Sequence, residues 1–268
     1  MSEVVKGYYD ENAQLELERL NNPYSSIEFN STMHLIDKYF PKTGEIIDIG
    51  SGPGRYSLEL LKKRYNVTLL ELSEKELEIA KQNIEELGLK AEGYLCENAL
   101  NLNILESNKY DGVLLMGPMY HILDKEQRIN VLKETLRILK KDGIAIISYL
   151  NSWGILKAGI TEFSSTFREL ENVYGYLDEQ TFDENNSFTE AYFSTPVHAL
   201  DEVRLGGFHI VSYAGVESFL SGIRDRVLNL YKEDRGVYDN LLKVAVESCE
   251  LPQYRDSTEH LHIVVKKI

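Results

Sequence analysis

Cysteine and positive charge are scarce in this chain. Two cysteines, Cys96 and Cys249, stand among 268 residues. So sparse a pair builds neither a disulfide framework nor a metal-ligand spacing, and it fits a reducing, cytoplasmic compartment. Lysine and arginine total 29 against 43 aspartates and glutamates, a formal charge of −14, and no Lys/Arg run interrupts it. That balance repels phosphate backbones, so no nucleic-acid partner is expected and small molecules fit better. No apolar run approaches the roughly 20 residues of a membrane helix. The opening Met-Ser-Glu-Val-Val-Lys-Gly-Tyr-Tyr-Asp does not read as a signal peptide, and no membrane partner is expected. His260 and His262 lie two apart, on one strand face, but no third ligand accompanies them and no metal site is expected. Internal repeats are absent too. At 43% hydrophobic and 27% charged, the chain reads as globular: one large domain, or a core with a cap.

Against that background, residues 46–54 stand out: Ile-Ile-Asp-Ile-Gly-Ser-Gly-Pro-Gly. An apolar run containing Asp48 breaks into Gly50, Gly52 and Gly54, and helix-like sequence follows from Arg55 to Arg64. Strand, glycine turn and helix form the nucleoside-binding opening of a doubly wound α/β domain. Glycines reach positive φ without strain and carry no Cβ to keep a ligand off the backbone. A dinucleotide fingerprint, G-x-G-x-x-G, would put its third glycine where Arg55 stands. Glu71 closes the apolar run Val67-Thr68-Leu69-Leu70. An NAD site also shows an acid about 20 residues past its glycines, so Glu71 does not separate the two ligands; the glycine spacing does.

Alternation of strand and helix continues through residue 150. Two helical stretches fill 3–40, broken at Asn21-Asn22-Pro23. Strands are expected at 45–49, 67–71, about 91–96, 112–116 and 144–149. The intervening helices span about 54–64, from Ser73 to the C-cap Gly88, and about 124–140. Ser73 with Glu76, and Asp124 with Gln127, have capping-box spacing. Continuous apolar strands mean a parallel sheet covered on both faces, with ligands at the edge where the strands end. Beyond residue 197 come a helix to Leu205, a strand at 208–213, helices within 216–250 and a last strand at 260–265.

The pattern D-x-G-x-G-x-G at 48–54 resembles motif I of the class I S-adenosylmethionine-dependent methyltransferases. Three more stretches are similar to a bacterial group of that family: Tyr8-Tyr9-Asp10-Glu11-Asn12-Ala13, Gly117-Pro-Met-Tyr-His121, and Leu136-Arg-Ile-Leu-Lys-Lys-Asp-Gly143. The likeness covers 8–150 well and 197–268 loosely. It implies a Rossmann-like, seven-stranded, mostly parallel sheet in the order 3-2-1-4-5-7-6, with strand 7 antiparallel and helices on both faces. It also implies S-adenosyl-L-methionine as cofactor. The turn (Asp48, Gly50, Ser51, Gly52, Gly54) would hold the methionyl part, and Glu71, with Leu72 beside it, the ribose. The family's Asp-Ala pair at the adenine is replaced here by Asn98-Ala99, a departure that weakens this contact, and Glu97 competes for the role. Met116 and Gly117 would lie where cofactor and acceptor meet. Tyr9 and Arg19 come from N-terminal helices that close over the cofactor in that group; Arg19 could equally form an ordinary salt bridge on a helix carrying Glu16 and Glu18.

His121 is the candidate catalytic base, or an orienting group, or a backbone-bonded bystander. Tyr120 is the second catalytic candidate, read as pocket wall or cofactor contact more than as an acid. Residues 151–193 carry nine aromatic side chains, from Trp153 to Phe193; this segment is read as an acceptor-binding lid, with the core of a helical cap or a dimer surface as alternatives. The expected organisation is an N-terminal cap at 1–40, a cofactor-binding core at 41–150, a lid at 151–196 and the rest of the sheet at 197–268. The expected function is methyl transfer to an oxygen or nitrogen of a small-molecule acceptor. Macromolecular acceptors, a non-catalytic S-adenosylmethionine-binding module and an NAD-dependent oxidoreductase remain as rivals, and a homodimer is left open.

Overall fold

The computed structural model describes all 268 residues. Nine strands form one sheet: β1 (Glu45–Ile49), β2 (Asn66–Glu71), β3 (Gly93–Cys96), β4 (Tyr110–Leu115), β5 (Leu139–Asn151), β6 (Gln180–Phe182), β7 (Ala191–Ser194), β8 (His209–Gly215) and β9 (His260–Lys266). The order 3-2-1-4-5-7-6 is present as β3-β2-β1-β4-β5-β9-β8, parallel through β5, with β9 antiparallel to both of its neighbours. Side chains alternate between the two faces. Ile47 and Ile49 join a core with Val113, Leu115 and Ile147; Ile46 joins another with Leu69, Leu114 and Ile146, and all are almost fully buried. Two buried faces explain why these strands read as unbroken apolar runs. Each such side chain contributes about 1.5–3 kcal/mol on burial.

The remaining two strands add to the expected sheet. Leu150 of β5 pairs with His260 of β9 on one edge and with Phe193 of β7 on the other. β4 uses that second edge only as far as Ile147. The β6–β7 hairpin therefore continues the sheet past the end of β4, at the edge where the parallel strands end. Most aromatics of the 151–193 segment pack on one another: Phe182 meets Phe193 at 5.0 Å between ring centroids, Phe163 meets Phe167 at 5.7 Å, and Tyr176 stacks on both Phe182 and Phe193.

Helices lie within a few residues of their expected spans, with one difference of kind. The helix expected to reach about 140 ends at Ile138, and Leu139–Gly143 already run as strand. Leu139 pairs with Tyr110, and Asp142 and Gly143 bond to Lys267, so the end of β9 draws this stretch into the sheet. The Ser73–Glu76 box is only half formed. Ser73 Oγ accepts from Glu76 N–H at 3.1 Å, but the Ser73 amide donates to Glu71 instead, which frees the Glu76 carboxylate.

Candidate functional site

The glycine turn leaves β1 with Gly50 at φ +75° and Gly52 at φ +52°. At Gly50 a Cβ would stand 2.5 Å from the Met116 carbonyl and from Pro118 Cδ, so the residue is glycine for packing as well as conformation. At Gly52 a Cβ would meet only the Glu76 carboxylate, at 3.7 Å, so the turn is open on the ligand side. Glu71 clamps it from the end of β2: one carboxylate oxygen accepts from Gly52 N–H at 2.8 Å and the other from Ser73 N–H at 2.9 Å. Each oxygen keeps a lone pair for a further donor. Burial raises the Glu71 pKa against these amides, and burial together with Glu71 and Glu16 pushes Glu76 up to about 9. Asp48 lies beneath. Its Oδ2 accepts from Ser57 Oγ at 2.7 Å, its Oδ1 is buried without a partner, and burial pushes it up to about 7.

A cavity of about 370 Å³ runs from this turn toward the β6–β7 hairpin, inside the range of small-molecule sites, roughly 300–1,000 Å³. Gly50, Ser51, Gly52, Glu71, Leu72, Met116 and Gly117 line one end, and Tyr120, His121, Leu150, Ile155, Phe188 and Phe193 the other. The helix Glu3–Leu20 covers it, bringing Tyr9 and Arg19 to the wall. Asp10 fastens this helix by accepting from Ser73 Oγ at 2.7 Å and from the Lys75 amide. Its inward face carries Val5, Ala13 and Glu16 while Leu15 is exposed, because it roofs a polar ligand site rather than an apolar core.

Over the far end three segments meet. The Tyr9 hydroxyl stands 2.9 Å from His121 Nε2, and His121 Nδ1 lies 2.7 Å from the carbonyl of Glu190. A carbonyl only accepts, so Nδ1 carries the proton, Nε2 is the bare nitrogen and Tyr9 donates to it. Burial lowers the His121 pKa and raises that of Tyr9 well above 10, which keeps both neutral. The rings of Phe188 and Tyr9 close around the imidazole edge-on. Tyr120 is tied by its hydroxyl to Ser148 and burial also raises its pKa, so it lines the cavity as a protonated phenol.

Most of the anticipated residues come together; four do not reach the cavity wall. Asp48 lies behind the turn, Gly54 faces Ala80 of the helix Glu74–Glu86, and Asn98 and Ala99 lie outside the lining. The Asn98 side chain accepts from the Met1 amino group, donates to the Met1 carbonyl and caps the turn at Leu100. Arg19 lines the cavity and binds Glu16 at 2.7 Å, the salt bridge that was its alternative reading. Sequence reasoning missed Glu16, Glu28, Glu76, Tyr56 and His260. Only Glu76 left a signal, as the acid of a capping box whose side chain turns elsewhere.

The residues fit the group that their motif implies: a glycine turn without steric cover, a carboxylate with free lone pairs at the end of β2, and a cavity of sufficient size. Residues 46–143 match the family model described as "Methyltransferase domain". The chain is 26% identical over 147 residues to the putative methyltransferase YqeM of Bacillus subtilis, covering 53% of this chain and 56% of that one. It is 33% identical over 108 residues to a ubiquinone biosynthesis O-methyltransferase of Rickettsia canadensis, covering 40% and 43%. Among solved structures, a Burkholderia thailandensis 1,6-didemethyltoxoflavin-N1-methyltransferase with bound 1,6-didemethyltoxoflavin and S-adenosylhomocysteine superposes with a TM-score of 0.61 at 13% identity, over 98% of this chain and 87% of that one. The chain spans about half the length of the curated relatives it matches. Fold and site together define a Rossmann-like α/β domain with a cavity where its parallel strands end. Residues 46–143 are thus similar to a methyltransferase domain, and the whole chain shares the fold of a methyltransferase solved with S-adenosylhomocysteine. No helix is long and apolar enough to cross a membrane.

Proposed function

We propose that this chain transfers a methyl group to an oxygen or nitrogen of a small-molecule acceptor and releases S-adenosylhomocysteine. The observation that carries it is one continuous cavity joining the Gly52–Glu71 clamp to the Tyr9–His121 pair. Relatives named for ubiquinone O-methylation support an oxygen acceptor, and the N1-methyltransferase neighbour supports a nitrogen.

When bound, the cofactor supplies a methyl group already activated on a sulfonium. The chain then has to align two reactants and exclude water, and orientation of that kind is worth up to roughly 7–11 kcal/mol. Glu71, and Glu76 beside the turn, receive ribose hydroxyls. Gly52 and Gly117 leave the backbone open to the methionyl part. Helix 3–20 acts as the cap, and the hairpin with Phe188 and Phe193 as the lid over the acceptor. An acceptor O–H or N–H delivers its proton to the Tyr9 oxygen as the Tyr9 proton passes to His121 Nε2; the hydrogen bond from Nδ1–H to Glu190 keeps Nε2 the basic nitrogen.

Incubation with S-adenosylmethionine and a panel of amines, phenols, carboxylates and thiols, following S-adenosylhomocysteine release, tests the reading. Turnover on a small acceptor is expected. Tight cofactor binding with no turnover across the panel would leave a binding module, and stabilisation by NAD in its place would sink the assignment.

A further inference from the structure

The cavity wall holds an ionised group that the chain partners only by one long contact. Glu28, in the first turns of the helix Ser25–Tyr39, lines the wall with its side chain only 15% exposed. Its one partner in the chain is His262, whose Nε2 makes a long contact of 3.6 Å to one carboxylate oxygen. Burial alone would raise its pKa, yet the charge of His260, the contact with His262 and the charge of Arg19 hold it well below the usual carboxylate range. The two arginines at hand are engaged elsewhere. Arg19 is bonded to Glu16 at 2.7 Å, while Arg55 donates to the Ser25 carbonyl and lies 4.3 Å from the centre of the Phe29 ring.

His260, at the start of β9, also lines the cavity. Glu217 fixes its Nδ1 at 2.6 Å, and the carboxylates around it push its pKa up to about 10 against burial, so it is an imidazolium at neutral pH. No group of the chain accepts from its Nε2, and the ring lies 6.0 Å from that of Tyr120. Glu28, His260 and Arg19 also border a second, polar pocket of about 90 Å³, lined further by Tyr24, Glu217 and Glu259. One acceptor-only oxygen pair and one donor therefore line the same cavity, together with the apolar Leu150, Ile155 and Phe193. A buried carboxylate short of hydrogen bonds is costly, and such a shortfall in a cavity marks where a ligand completes the set.

We infer that this wall of the cavity recognises a nitrogen base: a small amine or nitrogen heterocycle whose N–H donates to Glu28, with His260 Nε2–H left to donate to a second nitrogen where the ligand carries one. The inference rests on the methyl-transfer reading and narrows its acceptor. An anionic acceptor would meet Glu28 and Glu16 across the cavity, and a hydrocarbon would strand the Glu28 charge in a dry wall. Recognition is assigned to Glu28 and proton removal to the Tyr9–His121 pair, so the base that binds and the base that deprotonates are separate groups.

Calorimetry on protein saturated with S-adenosylhomocysteine tests this with four probes: benzylamine, 4-methylimidazole, benzyl alcohol and benzoate. Benzylamine and 4-methylimidazole should bind at least tenfold more tightly than the other two. Glu28→Gln should remove that preference, a loss of roughly tenfold or more in amine affinity, with S-adenosylhomocysteine affinity unchanged. Glu28→Asp, which keeps the charge, should retain the preference at reduced affinity, and it serves if the glutamine variant does not fold. Equal binding of benzyl alcohol or benzoate, or an undiminished preference in Glu28→Gln, overturns the inference. Failure of S-adenosylhomocysteine itself to bind would overturn the methyl-transfer reading instead.

Discussion

The Tyr9 hydroxyl donates to His121 Nε2 across 2.9 Å, and 112 residues of chain separate the two. The hydrogen bond from Nδ1–H to Glu190 leaves Nε2 as the basic nitrogen, with the tyrosine as its proton donor. His121→Ala should lower kcat by roughly 10²–10⁴-fold with cofactor affinity retained. Tyr9→Phe should lower kcat comparably with a smaller change in KM. Because burial depresses the His121 pKa, the active neutral form dominates at pH 7, and the rate should fall only below the ordinary histidine value, about 6.5. Normal turnover in His121→Ala would remove this pair from the mechanism.

Two glycines of one turn should respond differently to the same methyl group. Gly50→Ala puts a Cβ 2.5 Å from the Met116 carbonyl at φ +75°, combining overpacking of about 1–3 kcal/mol with left-handed strain of about 1–2 kcal/mol. Gly52→Ala carries the strain alone, since its Cβ meets nothing nearer than 3.7 Å. Urea unfolding should show the larger loss for Gly50→Ala. Calorimetry should show that folded Gly52→Ala has lost S-adenosylhomocysteine affinity, and unchanged affinity would remove this turn from the binding site.

Behind His121, Arg128 and Glu202 form an ion pair at 2.6 Å with side chains 2% and 1% exposed. Arg128 also donates to the carbonyls of Ile122 and Leu123 and packs 3.5 Å from the centre of the Tyr192 ring, so the pair braces the loop that follows His121 against β7. Glu202→Ala strands a buried guanidinium and should cost about 3–5 kcal/mol. Replacing both partners with apolar residues should cost less than that single change in the same denaturation experiment.

His260 gives the stability a pH dependence of definite sign. Its folded pKa, about 10, lies above the roughly 6.5 of an unfolded histidine, because Glu28, Glu217 and Glu259 outweigh its burial. The contribution is complete below pH 6.5 and is lost as pH rises toward 10. Unfolding free energies at pH 6, 8 and 10 should therefore decline more steeply in the natural protein than in His260→Gln.

What could be read in the sequence was whatever a stretch of ten or twenty residues decides alone. The unbroken apolar runs of β1 and β4, the positive-φ glycines of 50–54 and the Ser73 and Asp124 caps each express a local preference. From them followed the parallel sheet and the edge where its strands end, while the strand order and the cofactor came from the motif resemblance. Tertiary structure alone decided the rest. It placed the β6–β7 hairpin on the free edge of β5, so that Glu190 and Phe188 reach His121. It engaged Asn98 with Met1 and brought Glu28 and His260, from opposite ends of the chain, to one cavity. None of these pairings has a local signature, because a lone glutamate or histidine looks the same on a solvated face as in a cavity. Burial distinguishes them, and burial depends on the whole fold.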